Sequence, residues 1–479
     1  MTVRWQHVVS SFGRDYQEAS PPADFEDRYW NYFGFIVVAA FLMRLACYTG
    51  LIASDDLGYS QFAQLIAQLH YKPELHHYAL RYGLIVPLGA LYALFGVREW
   101  TTILLPLVAS TASVPAVMLI GNKLFGRRVA LLAGLLVATF PGELQYATIL
   151  VPEPVAEFYA LVAILAYVYW GTSNPERAGV LCGFCLGMAY LTKEPTLFIA
   201  PALMIDALAM RRRRLFGGIS AGLLMVVGAE HAYYLAVTGD LLFRSHAMIV
   251  HNRTIEAVRA NRYLFWRLFK VYPRIMLRPS LDEGLHSLFA LLLLIPACLL
   301  LPFKKSRLPL LWAALPLIYL NFGTSSFTHY WLLPADERYV LFIYPPLFML
   351  AAEVLVRWWS LRPMAVPLFG FVFAVVLASG FYCGFVSRAR GWRTGAVSEL
   401  RIIAEIARNN NIHSVAFAGD QPEEWREALG ILDHDLQPDT DPKTADITIG
   451  PDALGDPSVV SRKTIVARQS SVGNPPTPR

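Results

Sequence analysis

The 479-residue sequence is poor in charge: Asp, Glu, Lys and Arg make up 16% of it, against 55% hydrophobic residues. That balance excludes a soluble globular protein of this size and points to a polytopic membrane protein. Cysteine is scarce as well. Cys47, Cys182, Cys185, Cys298 and Cys383 all lie in apolar stretches, which excludes a disulfide framework. Cys182-Gly-Phe-Cys185 has C-x-x-C spacing but no second ligand pair, so small buried hydrophobes explain it better than redox or metal chemistry. The phosphate-binding loop, G-x-G-x-x-G and H-E-x-x-H patterns are all missing. Net charge is only +5, and no nucleic-acid partner is expected. Residues 1–30 have no short apolar core and no small-residue cleavage site, so the first membrane helix is expected to serve as the insertion signal.

What the sequence does have is a series of apolar stretches of bilayer length. Twelve candidate spans run near Tyr32–Leu51, Tyr82–Val97, Thr101–Ile120, Val129–Ile149, Val155–Gly171, Gly179–Leu191, Thr196–Met210, Leu215–Val237, Leu285–Leu301, Leu308–Phe322, Tyr339–Val356 and Met364–Phe385. Arg211–Arg214, Lys304-Lys305-Ser306-Arg307 and the pair Arg357 and Arg362 fall on one side if the spans from Leu215 alternate. That side is expected to be cytoplasmic, together with the N-terminus. An inside N-terminus and an outside C-terminus require an odd number of spans. The twelve candidates therefore contain an error between Tyr82 and Met210, and 11 or 13 spans are expected.

The chain is organised around Ala53-Ser54-Asp55-Asp56-Leu57-Gly58-Tyr59, just past the first span. Two adjacent carboxylates at a membrane face are costly, which favours a task or a partner over simple solvation of a helix end. Phe62, Leu65, Ile66 and Leu69 follow with helical spacing, interleaved with Gln61, Gln64 and Gln68. This reads as a helix lying in the lipid interface. The stretch from Asn252 to Leu281, with Tyr263, Phe265, Trp266, Phe269, Lys270 and Tyr272, reads as a second surface-lying segment. Asn252-Arg-Thr254 matches a glycosylation sequon, a pattern common by chance.

Four further charged sites are expected on the same side as Asp55. They are His76-His77-Tyr78-Ala79-Leu80-Arg81, Glu153 in Val-Pro-Glu-Pro, Thr192-Lys193-Glu194-Pro195, and Asp336-Glu337-Arg338-Tyr339. Singly, each has a plain structural reading: Arg81 and Arg338 as snorkelling cations, Lys193-Glu194 as a self-paired helix end. Together, carboxylates and several cations at one membrane face suit an anionic lipid substrate and an acid–base step. From Ser387 the composition becomes soluble. Ala396–Arg408 reads as a helix, and His413–Ala418, Ala445–Ile449 and Thr464–Ala467 as short strands, ahead of a disordered tail at Asn474. The expected organisation is a cytoplasmic segment 1–30, a membrane domain 31–386 and a small extracytoplasmic α/β domain 387–479.

The order of parts resembles the GT-C membrane glycosyltransferases, in particular the family of protein O-mannosyltransferases and lipid A aminoarabinose transferases (glycosyltransferase family 39-like). The signs are a span, the acidic pair, a surface helix, Arg81 and Pro87 ahead of Leu94-Phe95-Gly96, and Leu124-Phe125-Gly126-Arg127-Arg128. Thr139-Phe140-Pro141, Leu191-Thr192-Lys193, and Glu337-Arg338-Tyr339 before a Pro-Pro span complete the set. The resemblance covers roughly residues 30–360. It implies an all-α polytopic GT-C fold with 11–13 transmembrane helices and a sugar donor on a polyprenyl phosphate. It further implies inverting transfer to an acceptor hydroxyl of a lipid, glycan or protein, outside the cytoplasm and with no metal or cofactor. A bacterial inner membrane is the expected setting. Asp55 would be the general base, with Asp56 orienting it or binding acceptor, and Arg81, Lys193 and Arg338 would stabilise the leaving phosphate. His76, His77, Glu153, Glu194 and Tyr339 are further candidates. The family often carries Asp-Glu where this chain has Asp-Asp. A lipid-linked sugar transporter or flippase is the rival reading. It requires internal symmetry and mid-bilayer charges, which the sequence does not show. An assembly factor with an outer interaction domain would leave the acidic pair unexplained.

Overall fold

In a computed structural model, residues 23–256, 303–324, 336–361, 366–393, 396–409, 412–417, 423–433, 436–439 and 447–449 are described, with the single positions Tyr272, Met276 and Leu333. The helices are α1 (Ala23–Ala46), α2 (Asp55–Ala67), α3 (Tyr82–Phe95), α4 (Glu99–Phe125), α5 (Arg127–Thr139) and α6 (Pro141–Tyr146). They continue with α7 (Pro152–Trp170), α8 (Pro175–Thr192), α9 (Ile199–Ala209), α10 (Arg213–Thr238) and α11 (Phe243–Glu256). The last are α12 (Phe303–Phe322), α13 (Tyr344–Leu361), α14 (Val366–Arg393), α15 (Ala396–Asn409) and α16 (Glu423–Leu432). Single 3-10 segments at His77–Leu80, Glu194–Phe198 and Glu337–Ile343 precede α3, α9 and α13. Among the described residues, four stretches are long and apolar enough to cross a membrane by length and composition: Arg28–Ala46, Glu99–Phe125, Arg213–Thr238 and Arg338–Arg357.

Polar pairs fix which helix ends lie together. At one end, the Gly50 amide donates to the Thr148 carbonyl, the Leu51 amide to Glu99, and Arg338 to Asp55. At the other end, Arg127 lies over the Tyr29 ring, Lys123 over Tyr169, and Arg307 bonds Asp206. The Tyr82–Val97 stretch is not a span. Arg81 before α3 pairs with Glu194, and Glu99 after it reaches Leu51, so both ends of α3 lie at the Asp55 end. Its 14 residues cover only about 21 Å at 1.5 Å per residue, short of a hydrocarbon core of about 30 Å. The helix is apolar because Leu84, Ile85 and Leu88 pack into a cluster with Phe62 of α2, Ala109 of α4 and Val155 of α7. Without it the twelve candidates become eleven, an odd number. The candidate at Leu285–Leu301 lies outside the described residues, as do residues 257–271, most of 325–335, Arg362, the strand at Thr464–Ala467 and the tail. The Asn252 sequon lies inside α11.

Residues break helices where the chain must bend. Phe140 is extended (ψ 124) between α5 and α6 because Pro141 follows it. The tightest contact in the bundle is between α8 and α10. A Cβ on Gly179 would meet Gly218 Cα at 2.8 Å, one on Gly183 would run into the Ile219 carbonyl, and one on Gly222 into the Val180 carbonyl. Without a hydrophobic driving force in lipid, such small-residue seams let backbones approach and gain packing. Beyond α14, a parallel sheet of order β2-β1-β3 is formed by β1 (Ser414–Phe417), β2 (Gln437–Asp439) and β3 (Ile447–Ile449). α15 and α16 pack on it through Leu400, Ile403, Ala428 and Leu429. The expected helix at Ala396 and the strands at His413 and Ala445 are present, while α16 and β2 were not anticipated.

Gly183→Val tests the seam. Overpacking of this kind costs about 1–3 kcal/mol, so thermal stability in detergent should fall. Val180→Ala, on the same helix surface, should cost far less. Equal melting temperatures for Gly183→Val and the wild-type protein would remove the close-contact reading.

Candidate active site

The site is built on the loop between α1 and α2. The Thr49 amide donates to Thr148 Oγ1 at 2.8 Å, and the Gly50 amide to the Thr148 carbonyl at 3.1 Å. The Leu51 amide donates to Glu99 Oε1 at 3.0 Å. The Asp56 carboxylate closes the loop: Ile52 N donates to Oδ2 and Ser54 N to Oδ1, both at 2.6 Å. Ala53 between them takes φ 52, the left-handed region. Asp56 is therefore fully buried and turned toward its own backbone. Burial pushes its carboxyl up, against the opposing amides. Adjacent helical residues point about 100° apart, so Asp55 faces elsewhere, with its side chain 24% exposed. The two acids, neighbours in sequence, have separate surroundings.

Asp55 meets two elements, the 3-10 segments that carry Tyr78 and Arg338. Tyr78 donates its hydroxyl to Oδ1 at 2.7 Å, and Arg338 Nη1 donates to Oδ2 at 2.8 Å. Burial pushes the Asp55 carboxyl up, but the Tyr78 bond and the Arg338 charge outweigh it, with His77 adding a little. The group is held below the ordinary aspartate value. Arg338 also lies 3.7 Å from Glu153 and 3.4 Å from Asp336. Glu153, fully buried at the start of α7, pairs with Lys193 at 2.8 Å. Lys193 sits 3.9 Å above the Tyr339 ring. Of the expected residues, Asp55, Glu153, Lys193, Arg338 and Tyr339 thus come together directly. The rings of His76 and His77 pack at a tilt against Tyr78, and His77 lies within electrostatic reach of Asp55.

Arg81 and Glu194 pair with each other in an adjoining cluster. There Arg244, buried on α11, donates to Glu194 at 2.7 Å, to Glu230 at 2.7 Å and to the Leu80 carbonyl at 2.6 Å. Glu230 and Tyr82 line a cavity of about 630 Å³ walled otherwise by apolar side chains such as Ile66, Val86, Met188 and Met225. Tyr59 joins the two clusters. It is 2% exposed and within electrostatic reach of Arg81, Asp55, Glu153 and Arg338. Its hydroxyl makes no hydrogen bond among the described residues. Tyr59, Tyr78 and Arg244 were missed in the sequence. Tyr59 had a signal, since it lies four residues after Asp55 and so on the same helix face; Arg244 had none.

Comparison with known proteins agrees with the fold. Residues 87–238 match the family model of dolichyl-phosphate-mannose-protein mannosyltransferases. ArnT from Cupriavidus metallidurans, solved bound to undecaprenyl phosphate, superposes with a TM-score of 0.57 at 17% identity, over 89% of this chain and 88% of that one. Its apo form gives 0.55 at 16% identity, over 83% and 84%. The oligosaccharyltransferase of Archaeoglobus fulgidus, in complex with Zn and sulfate, gives 0.53 at 13% identity, over 86% of this chain and 62% of that one. No curated protein matches by sequence. The chain is an integral membrane protein with the GT-C fold.

The two acids should separate on substitution. In Asp56→Asn one of the two loop amides loses its acceptor and faces an NH2 group. Hydrogen bonds to a charged group are worth about 1.5–3 kcal/mol each, so the melting temperature should drop. Asp55→Asn, at a side chain 24% exposed to water, should lower it less. Because the Asp55 value is depressed, its ion pair with Arg338 persists at neutral and mildly acidic pH and is lost only as pH falls through the folded-state value. Any Asp55-dependent activity should therefore show no acid limb above about pH 5. An acid limb near pH 6 that vanishes in Asp55→Asn would contradict this assignment.

Proposed function

We propose that the protein transfers a sugar from a polyprenyl-phosphate donor to an acceptor hydroxyl, with inversion at the anomeric carbon. The observation that carries this reading is Asp55, held between Tyr78 and Arg338, beside a second cluster of cations that borders an apolar cavity. In the proposed reaction the acceptor hydroxyl gives its proton to Asp55 as its oxygen attacks C1. The bond from C1 to the phosphate oxygen breaks, and polyprenyl phosphate leaves as an anion. General-base help of this kind is worth about 10²- to 10⁴-fold. The apolar cavity suits part of a prenyl chain, and Arg81, Arg244, Lys193 and Arg338 supply the positive charge for the phosphate. Each of these cations already has a carboxylate partner. The phosphate would therefore trade places with a carboxylate, and in taking Arg338 it would release Asp55 to the acceptor.

We place the reaction on the extracytoplasmic face of a bacterial inner membrane, on the strength of the Lys and Arg asymmetry. Residues 1–30, 31–386 and 387–479 are read as cytoplasmic segment, membrane domain and outer domain. The acceptor is a lipid, glycan or protein. Transport is the weaker reading: the buried Arg44 is already held by Ser110 and Glu143.

Purified protein incubated with a panel of polyprenyl-phosphate sugars and hydroxyl acceptors should release free polyprenyl phosphate. Movement of intact donor across a liposome bilayer, without release, would replace transfer by transport. Arg338→Ala should slow transfer strongly, and Arg338→Lys should restore only part of it, because lysine lacks the planar fork. Tyr59→Phe should fold normally, having no hydrogen bond to lose, yet slow transfer if its hydroxyl meets substrate. Unchanged kinetics in Tyr59→Phe would make that hydroxyl a bystander.

A further inference from the structure

The proposed reaction gives the soluble C-terminal residues no task, yet they reach the catalytic loop. Leu51 and Leu57, which flank Asp55 and Asp56, are both buried in one cluster with Leu400, Ile403, Ala404 and Ala407 of α15 and Val415 of β1. Ala53 and Val97 pack at its edge. The loop's own leucines therefore belong to the core of the C-terminal unit rather than to the membrane bundle.

A polar contact crosses the same boundary. Arg401 on α15 forks onto Glu99 at the start of α4, with Nη1 to Oε2 at 2.9 Å and Nη2 to Oε1. Nη2 also reaches the Thr49 carbonyl at 3.4 Å. The Glu99 Oε1 that receives Arg401 is the atom that accepts the Leu51 amide. One carboxylate thus joins α4, α15 and the loop. Gly50 has φ +75, and a Cβ there would meet Glu99 Oε1, Arg401 Nη2 at 2.8 Å and the Tyr48 hydroxyl at 2.9 Å. The missing side chain is what lets the fork close over the loop. The Arg401 and Glu99 side chains are 22% and 17% exposed, so the pair is partly shielded from water.

We infer that Arg401 is a positioning residue for the Asp55 loop, so that the C-terminal α/β unit sets the placement of the catalytic base through Glu99, Gly50 and Leu51. The fork fixes Glu99, Glu99 fixes the Leu51 amide, and the next turn of chain carries Asp56 and Asp55. A bidentate arginine–carboxylate pair restricts geometry as well as distance. Misplacing a reacting group by about 1 Å can cost about 10²-fold in rate. The inference rests on Asp55 being the base, and its test includes a readout that does not require transfer.

Two measurements are made on Arg401→Ala, Arg401→Lys and Gly50→Ala in the full-length protein. Amide hydrogen exchange is followed over residues 49–57 and over residues 190–198 as a control. Transfer kinetics are followed with the donor found active. In Arg401→Ala and Gly50→Ala the Leu51, Ile52 and Ser54 amides should exchange at least about tenfold faster, with the control segment unchanged. kcat should fall about 10- to 100-fold at unaltered donor KM. Arg401→Lys should recover part of both. Gly50→Ala perturbs the fork from the membrane side without touching α15, so it separates positioning from simple unfolding of the C-terminal unit. Unchanged exchange in the loop overturns the inference, whether or not transfer is found. So does a raised donor KM with normal kcat, or a lowered melting temperature with loop exchange and kcat intact. If no donor supports transfer, the functional reading fails by itself, and loop exchange still decides whether Arg401 holds the loop.

Discussion

Charge at the edge of a bilayer is tolerable only in pairs, and the Asp55 end of this bundle is built around that constraint. Removing an ion from water costs several kcal/mol even after relaxation. Arg81, Lys193, Arg244 and Arg338 are accordingly each held by a carboxylate. The pairs are also the joints of the architecture. Arg338 ties the start of the last buried pass to the first loop, Lys193 ties α8 to α7, and Arg244 ties α11 to α10 and to the turn before α9. The bundle brings these helix ends together, and the pairs in turn make it costly to slide any helix along its axis.

Such a site stores its own competition. A bare guanidinium would bind phosphate more strongly but would have to be buried alone in the free protein. A paired one is stable and gives up affinity, since the incoming anion must displace a carboxylate. The exchange has a direction at Arg338. Its partners are Asp55, Glu153 and Asp336, of which Glu153 is fully buried and already held by Lys193. In the proposed reaction, anion binding at Arg338 and release of Asp55 are one event.

The sequence carried the apolar stretches and the acidic pair because both depend on composition and local order. The stripe of Phe62, Leu65 and Ile66 marked α2, while the single stretch read at Val129–Ile149 is broken at Pro141 into α5 and α6. What it hid depends on partners distant along the chain. Tyr82–Phe95 is as apolar as a span, and only the contacts at its two ends reveal that it stays on one side. Arg244 lies in a stretch with no motif and is defined by Glu194, 50 residues earlier. Arg44, fully buried near the end of α1, looks like a snorkelling residue until Ser110 and Glu143 are found against it. The division of labour between Asp55 and Asp56 was likewise out of reach, because it is set by where the loop amides point.

That division bears on why the second acid is Asp here, where the resembling families often carry Glu. The Asp56 side chain reaches back to the amides of Ile52 and Ser54, four and two residues earlier, at 2.6 Å each. A glutamate is one methylene longer, and in the same short loop its carboxylate would have to fold back or overshoot both amides. The left-handed turn at Ala53 narrows the loop further and brings those amides to the aspartate. The short side chain and the tight turn are thus one solution. A longer acid would call for a wider loop, and a wider loop would no longer place Leu51 on Glu99 and under α15. The geometry of Asp55 is in this way constrained from the adjacent Asp56 on one side and from the C-terminal unit on the other.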